Sequence, residues 1–172
     1  MSKLLKGVIT ALMITGLSGC VSTSDINVVQ AQDEKTNMEG YKTYMALSSK
    51  GIILDSEGTW VPKNIDTKAE IRYMIKTEMD NKGKQLVVSN PDFYVAYAVG
   101  VDMDTVKEHV SKKDHMKIEN IPSSGLAIVF IDAKTNQVIW MSVAEGNLKD
   151  ELSFEDRKKR ASYAIKKMLA DL

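Results

Sequence analysis

The sequence predicts an α+β fold, an antiparallel β-sheet of about four to five strands with two main helices packed on one face. Three observations predict it. Two segments repeat apolar residues at helical spacing behind capping residues. Around them lie short runs that alternate with period two or stay apolar throughout. One pair of these runs, residues 125–132 and 137–145, is separated only by a turn.

The sheet and helices follow a segment of another kind. Lys3 and Lys6 precede an apolar run of 11 residues, Gly7 to Leu17, and Leu17-Ser18-Gly19-Cys20 closes it. A positive start, an apolar core and small residues at the end are the layout of an export signal. A membrane-spanning helix would need about 20 apolar residues. Cys20 is the only cysteine, and it stands where a bacterial lipoprotein carries its lipid. Residues 1–19 are therefore expected to be a lipoprotein signal peptide that is removed. Residues 20–25 are expected to be the lipidated cysteine and a short tether, and residues 26–172 a single α+β domain. A cytosolic protein with an apolar N-terminus is the plainer alternative.

Removing residues 1–19 leaves 153 of the 172, enough for one domain with a substantial core. Those 19 residues carry two of the 23 basic residues and none of the 23 acidic ones, so the remainder has a formal charge of −2. A nucleic-acid binder would show a basic excess, and none is expected as a partner. With Cys20 acylated, no thiol remains for a disulfide, a thiolate metal site or a cysteine nucleophile.

Residues 21–25 are mostly small and polar and read as a flexible spacer. Residues 26–31 read as a short first strand, and 32–40 as a loop. Residues 41–47 form a better strand, with Tyr41, Met45 and Leu47 on one face. Ile52-Ile53-Leu54 and Thr59-Trp60-Val61 are candidates to extend or cover the sheet. Thr67 and Glu70 fit a capping box, and Ile71, Met74, Ile75 and Met79 follow as one apolar stripe that Gly83 closes. Glu78 falls inside that stripe. It is expected to swing outward, helped by Lys82, with a buried functional acid as the sharper reading.

After the turn signal Asn90-Pro91-Asp92, residues 93–101 place large side chains at odd positions and small ones at even positions after Tyr94. This predicts a long strand with a bulky face and a flat face. The flat face would admit a helix at close range, or leave a groove for a ligand. Residues 102–124 form a charged connection in which Val106 and Val110 allow a short helix. The apolar run 125–132 is expected to be central and covered on both faces, turning at 133–136 with Asn136 at positive φ. Ser153 caps the last helix, Glu155 and Asp156 suit its first turn, and Ala161, Ala164, Ile165, Met168, Leu169 and Leu172 form its apolar face.

Tyr41-Lys42-Thr43-Tyr44, Lys82-Gly83, Pro91-Asp92 before Val95 and Tyr97, and residues 132–140 ending at Trp140 occur in a recognisable order before a closing helix. In this order the chain resembles the bacterial lipoproteins grouped as the domain-of-unknown-function family numbered 4136, from residue 26 to 172. It is more distantly similar to auxiliary lipoproteins of envelope transport systems. The resemblance implies an envelope lipoprotein with one compact α+β domain and no assigned chemistry, so it carries over no catalytic residue. Sorting in enteric-type bacteria implies, for a second mature residue Val21 rather than Asp, the periplasmic leaflet of the outer membrane.

Constellations for chemistry are sparse. His109 and His115 lie near Asp102, Asp104, Glu108 and Asp114. Their spacing of six does not share a helical face, and Asp102 and Asp104 lack the glycine and closing glutamate of a calcium loop. Neither a G-x-S-x-G elbow nor a glycine-rich phosphate cradle is present. No metal, cofactor or catalytic residue is expected. Arg157-Lys158-Lys159-Arg160 spreads around a helix, with Glu155–Lys159 and Asp156–Arg160 as i,i+4 pairs, and contact with anionic head groups as the sharper reading. Tyr44, Trp60, Tyr97 and Trp140 are candidate cleft residues, with plain core packing as the alternative for each.

The expected function is a non-enzymatic binding or accessory domain, tethered to the outer membrane through lipid on Cys20 and facing the periplasm, with an envelope protein as partner. A small-ligand or lipid carrier is the alternative, its ligand undefined. A hydrolase using Asp or Glu, or a metal at His109 and His115, is the second.

Overall fold

A computed structural model describes residues 21–47, 52–55, 67–101, 107–110, 116–120, 124–147 and 152–172. The expected signal peptide, Cys20, Trp60 and most of the connection bearing His109 and His115 lie outside the described side chains. In order, the strands and helices are β1 (Asn27–Gln32), β2 (Thr43–Ala46), β3 (Ile52–Asp55), α1 (Thr67–Asn81), β4 (Gln85–Leu86), β5 (Phe93–Val101), β6 (Lys107–Val110), β7 (Met116–Asn120), β8 (Ser124–Asp132), β9 (Val138–Glu145) and α2 (Phe154–Met168). The class is α+β with two helices, as expected.

The sheet is mixed and larger than expected. Six strands follow the order β1-β9-β8-β5-β2-β4, and β3 also pairs with β5. β1, β9, β8 and β5 are antiparallel neighbours, whereas β2 and β3 run parallel to β5 and β4 runs parallel to β2. The reason is α1. A helix between two strands of one sheet carries the chain back to the end where the first strand began, so the strands it joins are parallel. Within the charged connection the chain forms the hairpin β6–β7, where a short helix was expected.

The bulky face of β5 makes the core. Phe93, Val95, Tyr97 and Val99 are buried with Leu126, Ile128 and Phe130 of β8, and with Ile71, Met74, Ile75 and Met79 of α1 and Ala164, Ile165 and Met168 of α2. The helices therefore cover the bulky face, and the small residues Ala96 and Ala98 lie on the other. Large side chains are what fill the space between a sheet and a helix layer at normal packing density. On that opposite face Ala127 and Met141 are buried, while Tyr94, Val129, Ile131 and Val143 are half-buried. In β2 the buried side chain is Tyr44, and Leu47 is exposed. Tyr41, Met45 and Leu47 do not share one environment: Tyr44 pairs with Phe93 in register and shares its side of the sheet, and Tyr41 also packs against the core.

Three local signals act as their residue types dictate. Gly83 (φ 71°) and Asn136 (φ 57°) take the left-handed conformation that glycine and asparagine tolerate best. Ser153 Oγ accepts from the Asp156 N–H at 3.1 Å and caps α2. The capping box of α1 is not made: Thr67 already lies within the helix, and its hydroxyl is buried without a partner among the described residues. Glu70 instead accepts from Lys158 at 2.8 Å and ties α1 to α2.

Candidate functional site

Arg160 organises one end of the domain. It stands on the inner face of α2 and is 8 % exposed, a depth at which an unpaired guanidinium would be costly. Nη1 and Nη2 reach the two carboxylate oxygens of Asp25 at 2.8 and 2.6 Å, a bidentate pair. Nη1 also donates to the Ser22 carbonyl. Asp25 further accepts from the Asn147 N–H at 2.9 Å. Gly146 leaves room for this arrangement, since a Cβ there would stand 3.1 Å from Arg160 Nη2. Arg160 holds the Asp25 carboxyl well below the usual carboxylate range.

Residues 22–25 are thus folded onto the domain, although their composition suggests a flexible spacer. The Ile26 N–H donates to the Thr23 carbonyl at 3.1 Å, and Lys167 Nζ donates to the Ile26 carbonyl at 3.2 Å. Beside this clamp lies a cavity of about 110 Å³ whose walls include Ile26, Ile71, Val99, Leu126, Ala161 and Ala164, with Arg157 and Arg160 at its polar side. The space exists because the lining is small. Gly100 and Gly125 pair across β5 and β8 at the strand ends, and α2 presents alanines to them. An apolar cavity of about 150 Å³ accepts benzene, so this one suits a group somewhat smaller.

The opposite end holds a polar network. Tyr41 donates to Asp132 Oδ2 at 2.7 Å, and Asp132 Oδ1 accepts from the N–H groups of Lys134 and Thr135 and the Thr135 hydroxyl. Asp92 Oδ2 accepts from the N–H groups of Lys42 and Thr43 and the Thr43 hydroxyl, pinning β2 to the start of β5. The buried Lys84 ammonium donates to the carbonyls of Met38 and Tyr41 at 2.6 and 2.7 Å, and burial lowers its pKa. The Tyr41 hydroxyl, chiefly, brings Asp132 down to about 2, and Asp132 in turn pushes Tyr41 up to about 12.

These shifts set a pH window. The lowered Asp132 value stabilises the fold above the ordinary carboxylate pKa of about 3.9 and stops doing so as pH falls toward 2; the raised Tyr41 value acts below about pH 10 and fails as pH rises toward 12. Tyr41→Phe is expected to cost about 2 kcal/mol at neutral pH, as for a hydrogen bond to a charged group. Urea unfolding would measure that loss, and acid unfolding should begin at higher pH in the variant.

Of the aromatic residues proposed from sequence, Tyr44, Tyr97 and Trp140 are not among those lining the cavity, and Trp60 lies outside the described residues. Tyr44 is 5.9 Å from Phe93, Phe93 is 4.9 Å from Phe130, and Phe130 stacks on Trp140 at 4.3 Å (ring centroids). This row crosses β2, β5, β8 and β9 within the core. Tyr97 points to α1 and donates to the Lys68 carbonyl at 3.2 Å. The Tyr44 hydroxyl is buried without a hydrogen-bond partner among the described residues, and burial pushes it up to about 12. An orphaned buried hydroxyl is a cost that phenylalanine would remove. Tyr44→Phe is therefore expected to raise stability by about 1 kcal/mol, read as a higher urea midpoint at unchanged slope.

The basic run of α2 is engaged in the fold. Arg160 takes Asp25 rather than Asp156, Lys158 takes Glu70, and Lys159 pairs with Asp156 at 3.2 Å. Glu78 lies half-buried at the rim of the groove between the helices, and Lys82 turns away to the Ala170 carbonyl. Among the described residues, no cluster of His, Cys, Asp or Glu is arranged to hold a metal, and no helix is long and apolar enough to cross a membrane. Sequence reasoning paired Arg160 with Asp156 and did not single out Asp25 or Lys84. The only signal at Arg160 is a charge placed on the apolar stripe of α2, between Ser153 and Ala164.

Residues 28–172 match DUF4136, a domain of unknown function. The chain matches no curated protein. Among solved structures, a DUF4136 family protein from Bacteroides thetaiotaomicron is similar with a TM-score of 0.63 at 12 % identity, over 86 % of this chain and 95 % of that one. A PelC dodecamer from Paraburkholderia phytofirmans is similar with a TM-score of 0.51 at 12 % identity, over 84 % and 95 %. A PDZ domain protein from Parabacteroides distasonis has a TM-score of 0.50 at 15 % identity, over 85 % of this chain but 36 % of its own length. At these identities the likeness is one of fold.

Proposed function

The chain belongs to the DUF4136 family, and we propose that it is an envelope lipoprotein whose domain binds or assists another envelope protein without catalysing a reaction. Lipid on Cys20 tethers it, in this reading, to the periplasmic leaflet of the outer membrane. The observation that supports the non-catalytic part is the state of four acids among the described residues. Asp25 is lowered chiefly by Arg160, Asp92 by the Thr43 N–H, Asp132 by the Tyr41 hydroxyl and Asp156 by the Ser153 side chain. Each of these carboxylates is held ionised by groups that also hold the fold. A general acid would need its pKa raised toward the working pH instead. The lipoprotein part rests on Leu17-Ser18-Gly19-Cys20.

Crosslinking in intact cells tests the partner. A reproducible protein adduct at native expression is the expected result, and its repeated absence would count against the reading. Cys20→Ser is expected to abolish both the acyl mass and membrane fractionation. The cavity of about 110 Å³ favours a second reading, a carrier of a small apolar group. Native mass spectrometry of protein drawn directly from cells would then reveal a bound small molecule.

A further inference from the structure

Resting on the lipoprotein reading, we propose that the domain meets the bilayer through its Arg160 end, held there by a tether with almost no slack. The partner surface is lipid. Arg160 fixes the Ser22 carbonyl and the Asp25 carboxylate together, and the Asn147 N–H holds Asp25 from the other side. Two residue steps separate Ser22 from Cys20, a reach of at most about 7 Å. A lipid on Cys20 would therefore draw the clamp itself to the head-group region, with no free linker about which the domain could tumble.

The fold decides which surface this is. β1 begins there, β9 ends there beside Asn147, and the paired Gly100 and Gly125 of β5 and β8 stand in the same layer. The Tyr41–Asp132 network and the turn at Lys134 lie at the far end of β8, a strand of nine residues that spans about 26 Å at strand rise. Arg160 and Asp25 neutralise one another, so charge attraction is not required for the contact; the tether's geometry is sufficient.

The test uses the purified lipidated protein inserted from outside into phosphatidylcholine vesicles that contain a lipid with a head-group nitroxide. With Cys20 acylated, Asn147→Cys or Lys134→Cys supplies the one free thiol for a fluorophore; both positions are exposed. The label at 147 should be quenched several-fold more than the label at 134. A flexible insertion of about ten Gly and Ser residues between Cys20 and Val21 should remove most of that difference. Equal quenching in acylated protein without the insertion overturns the orientation, and a difference that survives the insertion overturns the taut tether. Protein mass distinguishes the remaining failure: absence of acyl mass on Cys20 overturns the lipoprotein reading and this inference with it.

Discussion

Phe130→Ala should lower the unfolding free energy by about 4 kcal/mol, the largest effect expected of a single truncation in this core. Phe130 is fully buried and stands mid-row, with Trp140 at 4.3 Å on one side and Phe93 at 4.9 Å on the other. The substitution removes its transfer energy and leaves two large rings facing a void they cannot close, because β8 is held by a strand on each side. For a domain of this size the melting temperature should fall by roughly 8–16 °C. Phe130→Leu keeps most of the volume and should cost about 1.5 kcal/mol. Paired urea titrations would establish the ratio, and a cost of Phe130→Ala near that of Phe130→Leu would mean that the ring row is not a tightly packed unit.

Arg160→Met should cost about 3 kcal/mol, near the lower end for breaking a buried pair because the two side chains keep 10 % and 15 % exposure. Much of the loss comes from leaving Asp25 without its counter-charge. Replacing both residues, Arg160→Met with Asp25→Leu, should therefore recover most of it. The pH dependence follows the same contact. Asp25 titrates lower in the folded protein than in the unfolded chain, so its contribution is complete above the unfolded value of about 3.9 and fades as the medium becomes more acidic. Below about pH 4 the wild type should lose stability more steeply than Arg160→Met. Parallel slopes in the two proteins would show that the pair contributes little.

What was legible in the sequence follows from the range of each cause. Hydrophobic period and length identified β5, β8, β9 and both helices, since a residue's own neighbours set these patterns. Sheet order is set by distant segments. The two-residue strand β4 has both side chains exposed and carries no pattern to read, and the parallel pairing of β2 with β5 required treating α1 as a crossover. Tyr44 and Met45 are both large enough to face a core, so alternation alone did not choose between them. Arg160 shows the limit at the candidate site. Its nearest acid in sequence is Asp156, yet its partner is Asp25, 135 residues earlier. Tyr41, Asp92 and Asp132 lie within the segments that carry the family resemblance, and in the structure they brace the strand ends.

The pairing of β1 with β9 bears on the order of assembly. Asn27 lies opposite Glu145, and Gln32 opposite Trp140, so the segment synthesised first has no docking place until the last hairpin exists. Its clamp waits longer still, for α2. Closing loops of such length is the slow part of folding. A chain emerging N-terminus first must therefore keep its first strand unpaired until β9 has been made. The first strand to be made is thus among the last parts of the fold to be locked.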